Sequence, residues 1–383
     1  MVHGRYSLFI PGPTPVADSV QRATMRPMIN HRGPVFHQLL PRLTQGLKEL
    51  LGTQGRAFIL TGSGTSALEA ALVNVISPGD RVLVLVGGAF GERWAKLADA
   101  FGAQVVRLDY GWGEGVDPQQ VADILAANPD IKAVFATQNE SSTGVANDIQ
   151  GIAQAKGDHP ALLVVDAVSS FGAMALEMDA WGVDVVATAS QKCLMMPPGL
   201  AFVGVGPRAW EVMQGAKAHR FYFDLRLYDQ FAQNGETPFT PNVNLCFALE
   251  EALAIVEKEG LEQAIKRHFL MRDMVRSGLG ALGFELLVKD ETVASSTVTA
   301  VKGLPGLDIQ KFRQIAREEF GCVLAGGQGQ LKATTFRVGH MGHMMPVDMI
   351  GLLGVVELSL VRAGVQIPLG QGVKGAQEVL LAN

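Results

Sequence analysis

Cysteine is scarce in this chain: Cys193, Cys246 and Cys322 are the three among 383 residues. Their odd number and wide spacing argue against a disulfide framework and against a zinc site, and they fit a reducing compartment. Long apolar runs are missing as well. Stretches such as Val82–Val86 are strand-sized, far short of the roughly 20 residues that cross a bilayer. Positive charge is not in excess, since 32 Lys and Arg stand against 37 Asp and Glu for a net charge of -5. Nothing therefore draws the chain electrostatically to nucleic acid or to an anionic membrane. The opening residues MVHGRYSLFIPGPTP lack both a secretory apolar core and an Arg-rich amphipathic presequence. Leu380-Leu381-Ala382-Asn383 does not form the simple peroxisomal tripeptide. These features predict a cytoplasmic chain without repeats or low-complexity tracts.

What is present is apolar residue in quantity: 48% of the chain is hydrophobic and 18% charged. That composition supports two or three packed subdomains, with a surplus for a subunit interface. From about residue 58 to 206, short β-rich runs alternate with helical segments. The expected strands are Ala57–Leu60, Arg81–Val86, Gln104–Leu108, Ala133–Thr137, Leu162–Asp166, Asp184–Thr188 and Leu200–Val205. Most are unbroken apolar runs, the pattern of a parallel sheet covered on both faces. Helices expected over Thr65–Ile76, Glu92–Phe101, Pro118–Ala127 and Ile149–Lys156 make these βαβ units. The last strand pair is joined too briefly for a helical crossover, which predicts one antiparallel strand. Beyond Pro241 the pattern changes to long helices (Leu245–Glu259, Leu261–Leu282), short strands (Ser296–Val301, Thr335–Val338) and a helix over Pro346–Val361. The expected division is an extended arm over 1–20, a large α/β domain over 21–259 and a smaller α+β domain over 260–383.

Four features carry chemistry. Lys192 lies in SQKCLMMPPG (190–199), between an apolar strand and a stiff turn. A lysine so placed either snorkels to water or is desolvated, and desolvation leaves its amine neutral and nucleophilic. Thr61-Gly62-Ser63-Gly64-Thr65 opens an apolar-periodic helix, either a plain helix start or a cradle for phosphate. It matches neither the Walker A spacing nor the dinucleotide fingerprint, because Ala67 stands at the third glycine position. Asp166 ends a buried strand, where a carboxylate caps the Ser169–Ser170 turn or meets a cation. Arg337, in a short β pattern, is a solvated edge residue or a fork for a carboxylate. Phe90 adds an aromatic on a Gly-rich loop, and Asn139 to Val145 adds hydroxyls at the same sheet edge. His340 and His343 have no further His or Cys near them, so no metal site is expected. One ligand uses an amine, a phosphate cradle, a carboxylate for a ring nitrogen and a stacking ring together: pyridoxal 5′-phosphate.

The chain resembles the class V, fold type I aminotransferases of the alanine–glyoxylate and serine–glyoxylate group, including sequences labelled small subunit of soluble hydrogenase. PGPTPV (11–16), NHRGPVF (30–36), TGSGTSALEAAL (61–72), GGAFGERW (87–94), NESSTGV (139–145) and VVDAVSS (164–170) carry the resemblance. So do SQKCLMMPPG (190–199), FYFDL (221–225), TPFTP (237–241) and AGGQGQLKATTFRVGHMG (325–342). The resemblance implies a mostly parallel α/β sheet with one antiparallel strand, plus a smaller C-terminal α+β domain. It implies Lys192 as the Schiff-base lysine and Asp166 as partner of the pyridine nitrogen, with Val168 beside the cofactor. Ser63, Gly64 and Thr65 with Gln191 match the phosphate cradle, and Phe90 the stacking ring. Thr143 matches a hydroxyl near the ring oxygen and the substrate, Arg337 the anchor of the substrate α-carboxylate, and Gly12 the backbone lining of the pocket. Thr240 matches a residue that reaches the phosphate of a neighbouring subunit, which implies a homodimer with shared active sites. Phe90 departs from the tryptophan of several relatives, and Cys193 from the small residues common after the lysine.

The implied activity is ping-pong transamination from serine or alanine to glyoxylate or a similar small 2-oxo acid. Aspartate as donor is an alternative, with Arg32 or Arg220 for its second carboxylate. A lyase such as a cysteine desulfurase or kynureninase is another. Against a desulfurase stand Gln191 where histidine is common, and Cys322 ahead of the Ala325–Gln330 loop. A non-catalytic hydrogenase subunit is the remote third reading.

Overall fold

The structure is a computed structural model that describes residues 6–383. A seven-stranded sheet runs in the order Arg56–Gly62, Gly199–Val205, Val185–Ala189, Leu162–Asp166, Ala133–Thr137, Arg81–Val86, Gln104–Asp109. Gly199–Val205 is antiparallel to both neighbours, and the other pairs are parallel. Only residues 190–198 join it to Val185–Ala189, and a connection so short turns the chain back rather than over the sheet. The unbroken apolar runs are explained by two cores. Leu83, Leu85, Leu163 and Val165 enter one, while Val82, Val84, Val86, Leu162 and Val164 enter the other. Each such side chain stabilises the fold by about 1.5–3 kcal/mol on burial, so a charge at any of them would break a layer.

A second, four-stranded sheet has the order Ser7–Phe9, Cys322–Gly326, Thr335–Gly339, Val298–Lys302. Helices Leu261–Ala281, Ile309–Phe320 and Pro346–Arg362 pack on it around Met271, Val275, Phe312, Phe336 and Leu353. Gly260 separates Leu261–Ala281 from the preceding helix, Val243–Glu259. Of the expected arm, residues 1–5 lie outside the described residues. Ser7–Phe9 pairs in parallel with Cys322–Leu324, and the arm's last residues are helical from Asp18. Asp18 sits in a first turn, where free amides favour a carboxylate.

The fourth helix along the chain begins at Ala89 rather than Glu92, so Phe90 lies in a first helical turn and not in a loop. Helices Pro34–Leu51, Ile309–Phe320 and Gln371–Ala382 and the strand Cys322–Gly326 are further elements that the periodicity did not mark. Among the described residues no helix is long and apolar enough to cross a membrane.

Candidate active site

The chemistry-bearing residues follow the carboxyl ends of neighbouring strands. Asp166 closes Leu162–Asp166 opposite Thr137, Gln191 and Lys192 follow Val185–Ala189, and Ser63 follows Arg56–Gly62. Their side chains meet around a cavity of about 190 Å³. Ser63, Gly64 and Thr65 line one part of it, Phe90 and Val168 another, and Asp166, Gln191 and Lys192 a third.

Ser63 heads the helix Gly64–Val73 without a side-chain cap, and among the described residues the amides of Gly64 and Thr65 find no acceptor. Free amides at a helix N-terminus favour an anion. Gln191 Oε1 and Asn139 Oδ1 are buried acceptors without a partner, and both residues line the cavity. Buried polar atoms cost free energy until a donor reaches them, so the wall is built for a ligand.

Asp166 is 3% exposed, and its Oδ1 accepts from the Val168 amide at 2.8 Å. Burial pushes its carboxyl up to about 7, against the pull of that amide. Burial also lowers the Lys192 ammonium to about 8. Lys192 Nζ donates to the carbonyl of Pro11, and Gly12 packs on the same side chain. A Cβ on Gly12 would stand 2.7 Å from Nζ, and its φ of +103° also favours glycine. Thr14 Oγ1 donates to the Lys192 carbonyl at 2.9 Å, so the N-terminal segment covers the lysine.

Arg337 is 6% exposed and does not itself line the cavity. Its Nε donates to Gly326 O at 2.9 Å and its Nη1 to Ser141 O at 2.8 Å. Burial lowers it to about 10, with the Glu140 carboxylate opposing. Nη2 makes no hydrogen bond among the described residues. Thr143 is fully buried, its hydroxyl donating to Glu140 O at 3.2 Å, and it does not line the cavity. Ser141 does, so the hydroxyl-rich run reaches the cavity through a residue other than the expected one. Thr240 is exposed and away from the cavity of its own chain.

Sequence reasoning assigned no role to Arg93 or Ser169, and within the Asn139–Val145 run it assigned Thr143 rather than Asn139 and Ser141; all four unassigned residues are on the wall. Arg93 donates from Nη1 to Thr65 Oγ1 at 3.0 Å, and its guanidinium lies 4.7 Å from the Phe90 ring centre. Its three-residue spacing from Phe90, on one helix face, was the available signal. Neither candidate for a second carboxylate lines the cavity. Arg32 pairs with Glu236 and donates to Pro238 O; Arg220 donates from Nη1 to Val73, Ala216 and Ala218 carbonyls, and its buried Nε and Nη2 have no hydrogen-bond partner among the described residues. Both ring nitrogens of His340 are used, on Ser296 O and the Thr299 hydroxyl. Cys322 begins a strand, 1% exposed, and burial pushes its thiol up to about 12.

The family described as aminotransferase class-V matches residues 18–351. The chain is 42% identical over 376 residues to the soluble hydrogenase 42 kDa subunit of Anabaena cylindrica, covering 97% of this chain and 98% of that one. It is 38% identical to the L-aspartate–glyoxylate aminotransferase of Paracoccus denitrificans (97% and 95% covered). The serine–glyoxylate aminotransferase of Methylorubrum extorquens is 36% identical (99% and 97%). Among solved structures, pyridoxamine–pyruvate aminotransferase from Mesorhizobium loti superposes with a TM-score of 0.95 at 31% identity, covering 100% of this chain and 99% of that one.

Proposed function

We propose serine or alanine as the amino donor and glyoxylate as the acceptor of this chain, which belongs to the class-V aminotransferases and is an aminotransferase using pyridoxal 5′-phosphate. One observation carries the site assignment. An amine, a carboxylate and an uncapped helix N-terminus, three unlike chemical requirements, converge on one cavity of about 190 Å³. The residues fit the cofactor, because the free amides and the unpartnered Gln191 and Asn139 acceptors need a ligand with both an anion and donors.

When bound, the cofactor supplies an aldehyde that bonds amines and a protonated ring that takes up the electron pair of a broken Cα–H bond. The amides of Gly64 and Thr65, with Ser63 and Gln191, hold the phosphate. Phe90 and Val168, both on the cavity wall, would hold the ring, Phe90 through its aromatic face. Asp166 keeps a proton on the ring nitrogen, and a cation there returns its carboxyl toward the ionised form. Burial gives Lys192 a neutral fraction near neutral pH, so Nζ can bond the aldehyde. With its amine free, the same atom would be placed to take the donor's α-proton as base and give it up as acid. Arg337 offers Nη2 to the α-carboxylate, held in place by the Ser141 and Gly326 carbonyls. Gly12 and Ser141 complete the substrate pocket, while Thr143, turned onto the Glu140 carbonyl, supports it from behind. The segment Pro11–Thr14 keeps water from Lys192.

The division into residues 1–20, 21–259 and 260–383 is proposed on the same footing, with the large sheet inside the second and the small sheet completed by the first. Exposed Met25, Met28, Val35 and Phe221 support a homodimer in which Thr240 serves the partner's phosphate site. Three buried, unpaired thiols support a cytoplasmic setting. The same burial argues against a desulfurase, which needs an accessible cysteine nucleophile. Aspartate is the second reading, favoured by Arg93 on the cavity wall.

Steady-state rates for serine, alanine and aspartate against glyoxylate and pyruvate test the donor assignment. Serine or alanine with glyoxylate should give the highest kcat/KM. A preference for aspartate of about tenfold or more would replace the assignment, because charge recognition of that size requires a paired cation.

A further inference from the structure

Glu140 carries a carboxylate into the interior, 1% exposed, and the mechanism above gives it no task. Its partners are all hydrogen-bond donors. Oε2 accepts from the amides of Phe90 and Gly91, each at 3.0 Å. Oε1 accepts from the Ser142 amide at 3.3 Å and the Ser142 hydroxyl at 2.5 Å. That hydroxyl oxygen accepts in turn from the Ala89 amide at 3.0 Å. The helix Ala89–Ala100 has no side-chain cap of its own at Gly88, so residues 140 and 142 supply it from a distant part of the chain. The fit has no slack, since a Cβ on Gly88 would stand 2.4 Å from Glu140 Cδ.

The same residue is tied to a second part of the site. Glu140 pairs with Val145 in a short hairpin, and its carbonyl accepts from the Thr143 and Gly144 amides at 3.0 and 2.9 Å. Ser141, next in the chain, lines the cavity and holds Arg337 by its carbonyl. The first turn of the helix bears Phe90 and Arg93, both on the wall. One rigid hairpin therefore links the ring-stacking wall to the carboxylate anchor.

We infer that Glu140 is a positioning residue, whose reach sets the Phe90–Arg93 wall and the Arg337 anchor in register with each other. This rests on the aminotransferase reading of the cavity. Reach and charge can be separated by substitution. Glu140→Gln keeps the length and an oxygen for the Phe90 and Gly91 amides. Glu140→Asp keeps the charge but withdraws it by about 1.5 Å. Glu140→Ala removes both.

The cofactor-free wild type and these three variants are compared in Tm and in Kd for pyridoxal 5′-phosphate, then in KM and kcat for the best donor. Glu140→Gln should stay within about threefold of wild type in Kd and donor KM, whereas Glu140→Asp and Glu140→Ala should raise both by about tenfold or more. Should Glu140→Ala not fold, Ser142→Ala, which loses the Ala89 cap and the hydroxyl bond to Glu140 Oε1 but keeps the Phe90 and Gly91 amides on Oε2, should weaken cofactor binding in the same direction. The inference is overturned if Glu140→Asp behaves as wild type, if Glu140→Gln is as impaired as Glu140→Asp, or if every variant keeps wild-type Kd and KM. Absence of turnover in the wild type would end the aminotransferase reading. Wild-type turnover with unaltered Glu140 variants would end this inference alone.

Discussion

Asp166 and Lys192 show how one physical effect prepares two unlike groups. Burial raises the acid and lowers the base, which brings both into the neutral range where proton transfer is easy. For Asp166 the consequence for stability has a definite sign. In the cofactor-free protein the folded state keeps the proton up to about 7, while the unfolded chain releases it near 3.8. The stabilisation is therefore complete below the lower value and lost as pH rises through the higher one. Calorimetry of the cofactor-free wild type against Asp166→Asn should show the wild-type Tm falling relative to the variant over that window. Parallel curves would contradict the assignment. The same scale shows what the sequence leaves hidden. Lys192, Asp166 and the Ser63–Thr65 turn stand out because each is chemically odd in its setting. Ser141 does not, since in Asn139-Glu140-Ser141-Ser142-Thr143 any hydroxyl could face the cavity. The hairpin decides, turning Thr143 back onto the Glu140 carbonyl.

Elements were legible where their cause is local. Arg81–Val86, Ala133–Thr137 and Leu162–Asp166 are found as the apolar runs mark them, because strands buried on both faces need no partner to be recognised. Pro118–Ala127 is equally local, with proline in its first turn and Asp117 capping the Gln119 amide. Where the cause is distant, the reading failed. The helix from Ala89 starts early because Glu140 and Ser142 cap it from some fifty positions away. Gly87-Gly88 alone reads as loop. Ser7–Phe9 becomes a strand only because Cys322–Leu324 offers it an edge. No residue near position 7 carries that information.

For the whole molecule, the two-layer core was legible from composition and alternation, whereas the proposed association of chains would rest on surface residues that sequence cannot locate. Met25 at 72%, Met28 at 67% and Phe221 at 76% exposure leave apolar area that a second copy would cover. Light scattering should give twice the chain mass. Combining Phe221→Asp with Met25→Asp should shift the protein toward monomer and lower turnover per chain by about tenfold or more, as loss of a shared phosphate contact requires. A monomer with full activity would remove Thr240 from the site.

The central claim is that Lys192 is both the cofactor's anchor and the carrier of the α-proton. The most direct measurement is the turnover of Lys192→Ala with the best donor and glyoxylate, at saturating pyridoxal 5′-phosphate. Loss of a general base that also bonds the cofactor should lower kcat by about a thousandfold or more. A variant that keeps kcat within about tenfold of wild type would show that the lysine does neither, since no remaining group near the cavity could supply so large a share of the rate.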